Sequence, residues 1–406
     1  MTRILSCLFN GYGHSYHGIP TSCWRRIALS FLRSLTIGVI GFLAIYFVRD
    51  LSMTESQMGL IIAAYGLGMT VGAVAGGKCS DKLRPSIVAI ISLIVMGASF
   101  LLLASLKTFS PLLVCLFLIG LSSYSFLTAN TLWILNYCRD DAIKQRSLSV
   151  SYAASNLGVA VSSLIVSGVA KFGFIYLFWG CAAILFLSAL YLWVQSLSAK
   201  QHVYIKPQKP SAKLIATRNK IILVTLVCVF LGGVIIAQQN ATYPIYIESK
   251  FHYLGIKSVG VLFALNAILI VIFQAPLTHW LNKANKLILI GVGIFLMGLG
   301  MCLLIFAFTY SIAIIACIVY TVGEMLFFPI AQLVCYQGAH ADHKGHSLGV
   351  LGSIYAISRI IGPAAGGVIY EQTGGNFLWS FMTIIGIIAL ILCLSSKSFY
   401  NTTITK

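Results

Sequence analysis

Apolar stretches of about 20 residues, the length that a helix needs to cross a bilayer, recur from Arg26 to Leu394. Short segments rich in Gly, Pro and charge separate them. The pattern predicts an all-α polytopic membrane protein with twelve transmembrane helices, here called spans one to twelve: 27–48, 56–79, 86–106, 111–137, 147–169, 174–196, 220–247, 258–281, 286–308, 311–336, 347–370 and 376–395.

The longest polar stretch lies between spans six and seven and divides the chain into two halves. The predicted organisation is an N-terminal segment (1–26), a six-helix bundle (27–197), a linker (198–219), a second six-helix bundle (220–396) and a tail (397–406). Span five opens with Ser-Leu-Ser-Val at 147–150 and span eleven with Ser-Leu-Gly-Val at 347–350. These matching positions predict two pseudo-symmetric bundles that are parallel repeats.

Composition excludes a soluble protein. Hydrophobic residues make up 59% of the chain and charged residues 9%, against roughly 25% charged residues in a soluble domain. The net charge of +18 would suggest nucleic acid in a soluble protein. Here Lys and Arg concentrate in alternate loops, about 20 on one side and about 5 on the other, as positive-inside membrane proteins show. The sequence therefore predicts cytoplasmic termini and linker, a bacterial inner-membrane location, contact with membrane lipid and no nucleic-acid partner.

Motifs for catalysis and cofactors are lacking in the sequence. It contains no phosphate-binding Gly-Lys-Ser/Thr loop and no nucleophile–base group, which predicts that the protein is not an enzyme and uses no cofactor. His340, His343 and His346 recur at every third position between spans ten and eleven. A metal site is one reading of these residues, but no Cys or acid cluster completes it, so a solvated loop is predicted.

Three motifs carry a family resemblance. The sequence Gly-Gly-Lys-Cys-Ser-Asp-Lys-Leu-Arg at 76–84 resembles the loop between helices two and three of the major facilitator superfamily. Gly-Pro-Ala-Ala-Gly-Gly at 362–367 is similar to an element of that superfamily's antiporters, where it lies on the fifth helix. Gly-Glu-Met-Leu-Phe-Phe-Pro at 323–329 resembles helix ten of the drug:proton antiporter branch. Span four lacks the arginine that drug antiporters usually carry there, and the direction of transport stays open.

The resemblance implies two bundles that rock about a central binding site. It also implies a conformational gate, a set of residues that hold the two bundles together in one state. In related transporters the acid of the loop motif holds the halves together through the positive end of helix eleven. Carried over to this sequence, the gate comprises one group from each half, Gly77, Asp81, Lys82 and Arg84 with Gly362 and Pro363.

Ionisable residues inside apolar spans indicate where transport chemistry takes place. Of nine acids, only Glu324 lies near the middle of a span, and Arg359 lies at similar depth in span eleven. An embedded charge costs at least about 2.5 kcal/mol at mid-helix, so it is retained for a function or held in a pair. We predict that Glu324 and Arg359 couple protons to transport. The alternative is a static ion pair that joins two helices.

Polar residues at comparable depth predict a substrate-binding site. Arg33 lies about two turns inside span one, where its side chain either faces the cavity or extends to the cytoplasmic headgroups. Together with Arg359 and the uncharged residues of spans four, five, seven and eight, it gives the predicted set Arg33, Asn130, Asn156, Gln239, Tyr243, Asn266 and Arg359. For each uncharged residue, hydrogen bonding between helices is the alternative role.

These features predict a secondary transporter that works as a monomer and does not use ATP as its energy source. By resemblance, its leading function is proton-coupled efflux of a drug-like compound or metabolite. The surplus of embedded arginines favours a second hypothesis, proton-coupled movement of an anionic, carboxylate-bearing solute such as an organic acid or siderophore. A transport-inactive membrane sensor or scaffold is a third.

Overall fold

The structure, a computed structural model, describes residues 18–138, 141–198, 220–281, 284–338 and 344–396. Within these ranges the twelve predicted spans are all helical, which confirms the all-α fold class. The helices are α1 (Thr21–Asp50), α2 (Glu55–Lys82), α3 (Pro85–Ser105), α4 (Phe109–Tyr137), α5 (Asp141–Val169), α6 (Phe174–Ser198), α7 (220–250), α8 (Ile256–Trp280), α9 (Lys286–Ile305), α10 (Tyr310–Gly338), α11 (Lys344–Thr373) and α12 (Gly375–Ser395).

Eleven helices of the described residues are long and apolar enough to cross a membrane. The exception is α11, which forms a helix of 30 residues but is not among the eleven. Its sequence carries Arg359 and several glycines and serines in place of large apolar residues. The helix predicted for span eleven is therefore present, with a more polar composition than its neighbours.

Local sequence signals explain where several helices begin. Pro85 occupies the first turn of α3, where its fixed φ suits a helix and its missing N–H is no loss. Asn285 precedes α9, and its side chain accepts hydrogen bonds from the backbone N–H groups of Leu287 and Ile288. Between α11 and α12, Gly374 has a φ of 81°, which L-residues with a side chain rarely adopt. This glycine allows the chain to reverse within a single residue.

Two helices are interrupted at matching positions in the predicted repeats. In α1, a 3₁₀ segment at Gly38–Phe42 and a π segment at Tyr46–Asp50 break the α-helical pattern. In α7, a 3₁₀ turn at Gln238–Asn240 separates Lys220–Ala237 from Thr242–Lys250. The offset in residue number between these breaks equals that between the two Ser-Leu motifs. Predicted span seven is thus helical with one 3₁₀ interruption, at which the Gln238 side chain bonds to the backbone oxygen of Gly362 on α11.

Contacts within the chain group it into two compact units. One unit comprises residues 1–39 and 68–209, and the other comprises residues 40–67 and 210–406. In the first, α1 packs on α5, while α3 packs on α4 and α6 around buried Phe100 and Phe126. In the second, α9 packs on α10 and α12, and α7 packs on α11, with Phe327 and Trp379 fully buried. The predicted bundle boundaries, 27–197 and 220–396, remain a prediction.

Candidate functional site

The carboxyl group of Glu324 lies about midway along α10 and is held by a neighbouring helix. Asn266 of α8 donates a hydrogen bond from Nδ2 to Glu324 Oε2 at 2.9 Å. The same nitrogen donates to Thr321 Oγ1 at 3.0 Å, and the Thr321 hydroxyl donates to the backbone oxygen of Cys317 at 2.7 Å. The Asn266 amide is therefore fixed by two acceptors, one turn apart on α10.

Arg359 of α11 interacts with Glu324 through its charge. It acts electrostatically on both Glu324 and Tyr320. In the described part of the chain, the direct ion pairs are those that Arg49 makes with Asp50 at 2.7 Å and with Glu248 at 3.5 Å. The direct partner of the Glu324 carboxyl is thus an amide. Proton coupling by Glu324 and Arg359 stays a prediction.

Next to Asn266, α7 to α10 enclose a small cavity with space for about one water molecule. Three residues of the predicted substrate-binding set, Gln239, Tyr243 and Asn266, line it. The ring of Tyr243 stacks on Phe263 with centroids 6.0 Å apart. Tyr320, which sequence reasoning did not select, also lines the cavity. The structure therefore brings these predicted polar residues together within one unit.

Gln238, adjacent to the predicted Gln239, is a second residue that sequence reasoning missed. Its side chain is fully buried, donates from Nε2 to the backbone oxygen of Gly362 at 2.9 Å, and accepts from the Thr242 hydroxyl at 2.8 Å. A Cβ at Gly366 would overlap the Gln238 carboxamide. The polar run Gln-Gln-Asn in an apolar span was the available signal. This contact joins the break in α7 to the predicted gate residue Gly362.

The first half of α2 packs against α11 so closely that the two backbones touch. A Cβ at Gly59 would overlap the Pro363 carbonyl oxygen, and a Cβ at Gly66 would lie 2.5 Å from the Arg359 carbonyl oxygen. Pro363 has no N–H, so it cannot donate the helical hydrogen bond to the backbone oxygen four residues before it, that of Arg359. The predicted gate residue Pro363 therefore lies where two helices make backbone contact.

Further polar contacts lie beside the loop that joins α1 to α2. The backbone N–H of Ser56 donates to Glu371 Oε2 at 2.8 Å. Hydrogen bonds from the side chain and then the backbone of Ser56 hold the pKa of the Glu371 carboxyl below its ordinary value. Arg49 pairs with Glu248 at the end of α7. Lys250 Nζ donates to two carbonyl oxygens at the end of α9, at 2.6 and 2.8 Å. These contacts join the ends of five helices on one side of this unit.

In the other unit, α1 carries two buried guanidinium groups two turns apart. Arg33 is 6% exposed and donates from Nε and Nη2 to Ser123 Oγ at 3.1 and 2.7 Å. Arg26 is 3% exposed, donates to Ser86 Oγ at 2.6 Å and lies 4.4 Å from the ring centre of Trp133. Within the part of the chain that the structure describes, its Nε and Nη1 have no hydrogen-bond partner. Sequence reasoning missed Arg26 because it stands at the edge of predicted span one.

The two predicted binding asparagines of this unit make contacts within the protein. Asn130 is 1% exposed and donates from Nδ2 to Ser30 Oγ at 3.0 Å and to the backbone oxygen of Arg26 at 3.2 Å. Asn156 is partly exposed and donates to the backbone oxygen of Tyr152 in its own helix. The geometry of Asn130 matches the alternative role of joining two helices, and a role in substrate binding remains a prediction for both.

The remaining predicted gate residues lie in the last turns of α2 or, for Arg84, just after it. Gly77 is on α2, four residues before Asp81, and Lys82 and Arg84 are exposed. Asp81 lies in α2, but its side chain is outside what the structure describes, so its predicted contact with helix eleven stays a prediction.

The three histidine side chains that could form a metal site lie outside what the structure describes. His340 and His343 lie outside the described residues, as does the side chain of His346. Among the residues that are described, no group of three His, Cys, Asp or Glu could hold a metal ion.

Comparisons with known proteins add an independent line of information. The family model of the Major Facilitator Superfamily matches residues 27–363. The chain is 26% identical over 387 residues to the MFS-type transporter YqjV of Bacillus subtilis (strain 168), itself uncharacterized, covering 91% of this chain and 92% of that protein. It is 23% identical over 345 residues to the quinolone resistance protein NorA of Staphylococcus aureus (strain MSSA476), covering 84% and 88%. The crystal structure of the nucleoside transporter NupG matches 94% of this chain and 99% of its own, with a TM-score of 0.76 and 14% identity, a likeness of fold alone.

Proposed function

The chain belongs to the major facilitator superfamily and is a multi-pass membrane transporter, and from this premise we propose that it exports a drug-like compound or metabolite in exchange for protons. Its partners are then a small-molecule substrate, protons and the surrounding lipid, and it works as a monomer. In this proposal the termini and the linker face the cytoplasm of a bacterial cell, as the distribution of Lys and Arg favours.

The observation that carries the proposal is the placement of Glu324. Its carboxyl lies midway along a transmembrane helix, hydrogen-bonded to Asn266 and within the electrostatic influence of Arg359. An intramembrane acid is a functional group by default, because an ion pair or a proton must offset the cost of its charge. A carboxyl that binds a proton in one state and releases it in the other supplies the coupling that a secondary transporter needs.

The direction of transport is supported by similarity. NorA is a quinolone resistance protein, and a transporter provides resistance most directly by moving a compound out of the cell. The identity of 23% is low, so the substrate of NorA is not assigned to this chain. Export of an amphiphilic compound, with protons moving inward through the C-terminal unit, is the form of the proposal that fits both observations.

A second candidate substrate class is an anionic solute that carries a carboxylate. The supporting observation is that Arg26 and Arg33 bury two guanidinium groups on one side of α1, where their hydrogen-bond acceptors include the hydroxyls of Ser86 and Ser123. Guanidinium groups bind carboxylates with paired, charge-assisted hydrogen bonds. A site for a cationic drug would be expected to present surplus acids.

The experiment reconstitutes the purified protein in liposomes that contain a pH-sensitive dye and adds cationic, neutral and anionic compounds in turn. Proton-coupled export predicts that a pH gradient drives uptake of a cationic or neutral amphiphile into the vesicles and that the substrate dissipates the gradient. A response to carboxylates alone would favour the second candidate. Absence of any substrate-dependent proton movement, while substrate exchange continues, would contradict proton coupling. Absence of both would favour the sensor or scaffold.

A further inference from the structure

We propose that the cavity between α7 and α10 binds a single water molecule that relays protons to Glu324, and that the hydroxyl of Tyr320 positions this water. The proposal rests on the proposed proton-coupling role of Glu324. It adds a proton path and a positioning residue to that site, neither of which follows from the sequence motifs.

The hydroxyl of Tyr320 is buried and has no hydrogen-bond partner among the described residues. The residue is 4% exposed, and its oxygen has no hydrogen bond to any described group. A buried hydroxyl without a partner is costly, and native structures generally satisfy it with protein or water. Tyr320 lines the cavity, so a water molecule there can accept its hydrogen bond.

The size and lining of the cavity decide what it holds. Its space corresponds to about one water molecule, far below what a drug-sized ligand requires. A bound water needs two to four polar partners. Besides Tyr320, the residues that line the cavity include Gln239, Tyr243 and Asn266, each of which has polar side-chain atoms. These are enough for a water molecule and too few, in too small a space, for the transported substrate.

The cavity lies beside the carboxyl group that would receive the proton. Tyr320 and Glu324 are four residues apart and therefore share a face of α10. Long side chains on a helix lean toward its N-terminus, so the Glu324 carboxyl lies over the turn that contains Tyr320. Asn266, which donates to this carboxyl, also lines the cavity. A water molecule held by Tyr320 is thus next to the Asn266–Glu324 contact.

One residue of the cavity lining lies close to an end of its helix. Leu304, one residue before the end of α9, contributes to its lining. Protons would enter from the loop between α9 and α10, which the proposed topology places outside the cell. That is the side from which protons enter in an exporter that exchanges its substrate for protons.

The transfer step is a simple proton exchange. A proton that reaches the water gives a hydronium ion; one of its O–H bonds breaks as an O–H bond forms on the Glu324 carboxylate, and neutral water remains. Release runs in reverse. Among the described residues, Arg359 of α11 acts electrostatically on Glu324, and Glu324 acts on Cys317 and Tyr320 of α10. Tyr355 and Arg359 of α11 and Tyr243 of α7 also act on Tyr320. Tyr320 keeps its own proton and acts only by holding the water.

The test compares Tyr320→Phe with Tyr310→Phe in proteoliposomes. Both variants lose one hydroxyl from α10, but the Tyr310 hydroxyl donates to the backbone oxygen of Ser258 and lies outside the cavity lining. We expect Tyr320→Phe to slow proton-driven transport about tenfold, equivalent to about 1.4 kcal/mol in activation free energy. Substrate counterflow without a pH gradient should keep its rate, and Tyr310→Phe should keep both rates.

A second variant removes the space for water and leaves the tyrosine in place. Ala316 lines the cavity, and Ala316→Val should also slow proton-driven transport while counterflow persists. Wild-type proton-driven rates in both Tyr320→Phe and Ala316→Val would overturn the water relay, as would an equal loss of counterflow in both. If Glu324→Gln retains proton coupling, the coupling role proposed for Glu324 fails, and the relay fails with it. Loss of coupling in Glu324→Gln with normal rates in the cavity variants rejects the relay alone.

Discussion

Replacing Gly66 by Ala tests the backbone contact between α2 and α11. An ideal Cβ at this position would lie 2.5 Å from the Arg359 carbonyl oxygen, whereas carbon–oxygen contacts between helices normally measure about 3.3–3.6 Å. The two helices must therefore separate by about 0.8–1.1 Å to accept the methyl group. The obstacle is backbone, so no side-chain rotation can relieve it.

Two opposing effects determine the magnitude of this substitution. Overpacking typically costs about 1–3 kcal/mol, while Ala favours a helix over Gly by up to about 1 kcal/mol. The steric effect prevails. A net penalty of about 1–2 kcal/mol lowers the ratio of packed to separated helices by roughly 5- to 30-fold. Gly352 of α11 has no atom within 4 Å of its ideal Cβ, so Gly352→Ala changes helix propensity alone.

Thiol labelling can measure the separation of the two helices. Ala63 lies on α2 near this contact and is 6% exposed, so Ala63→Cys introduces a thiol that is protected while the helices are packed. In a background where the exposed Cys79 is replaced by Ser, we expect Gly66→Ala to label several-fold faster than Gly352→Ala. Equal labelling rates, with both proteins folded, would refute the argument that this contact must open.

Three further predictions concern topology and individual charges. Reporter fusions after Lys220 should indicate the cytoplasm and those at Lys250 the exterior; the reverse would overturn the orientation inferred from charge. Arg26→Met should have the same melting temperature as wild type or a higher one, because an apolar side chain replaces a buried charge whose hydrogen bonds are only partly satisfied. Arg25→Met, at an exposed arginine, is the control. A lower melting temperature for Arg26→Met than for Arg25→Met would show that Arg26 has a strong partner. Glu371, whose pKa is lowered by its hydrogen bonds to Ser56, should stabilise the protein at neutral pH and lose this effect as pH falls through that lowered pKa. A difference in melting temperature between wild type and Glu371→Gln that stays constant as the pH is lowered through that range would contradict this.

The hydrophobic pattern was sufficient to predict the helices because each must satisfy its own backbone hydrogen bonds in lipid. It did not indicate the interruption at Gln238, where the side chain bonds to Gly362 on another helix and α7 changes from an α-helix to a 3₁₀ turn. Such a contact depends on which helices are neighbours, and periodicity along one segment contains no information about neighbours. The polar run at 238–240 signalled an irregularity without identifying its partner.

Depth and helical face placed Gln239, Tyr243 and Asn266 near one another, and they line one cavity, while their predicted role in substrate binding stays a prediction. The same reasoning could not distinguish Asn130, whose amide joins two helices, from a residue that faces a cavity. Tyr320 gave no signal at all, because a tyrosine in an aromatic-rich span resembles any packed side chain. Its significance comes from the combination of burial, the missing hydrogen bond and the adjacent space, all of which require three-dimensional placement.

The central claim is that Glu324 couples protons to transport, and Glu324→Gln in proteoliposomes tests it most directly. Gln keeps the shape of the side chain and can still bond to Asn266, but it cannot bind and release a proton. Glu248→Gln is the matched control, since it makes the same change in an acid at the end of α7. The account predicts that Glu324→Gln abolishes substrate accumulation driven by a pH gradient while counterflow continues, and that Glu248→Gln retains both. Gradient-driven accumulation by Glu324→Gln at the wild-type level would contradict the account.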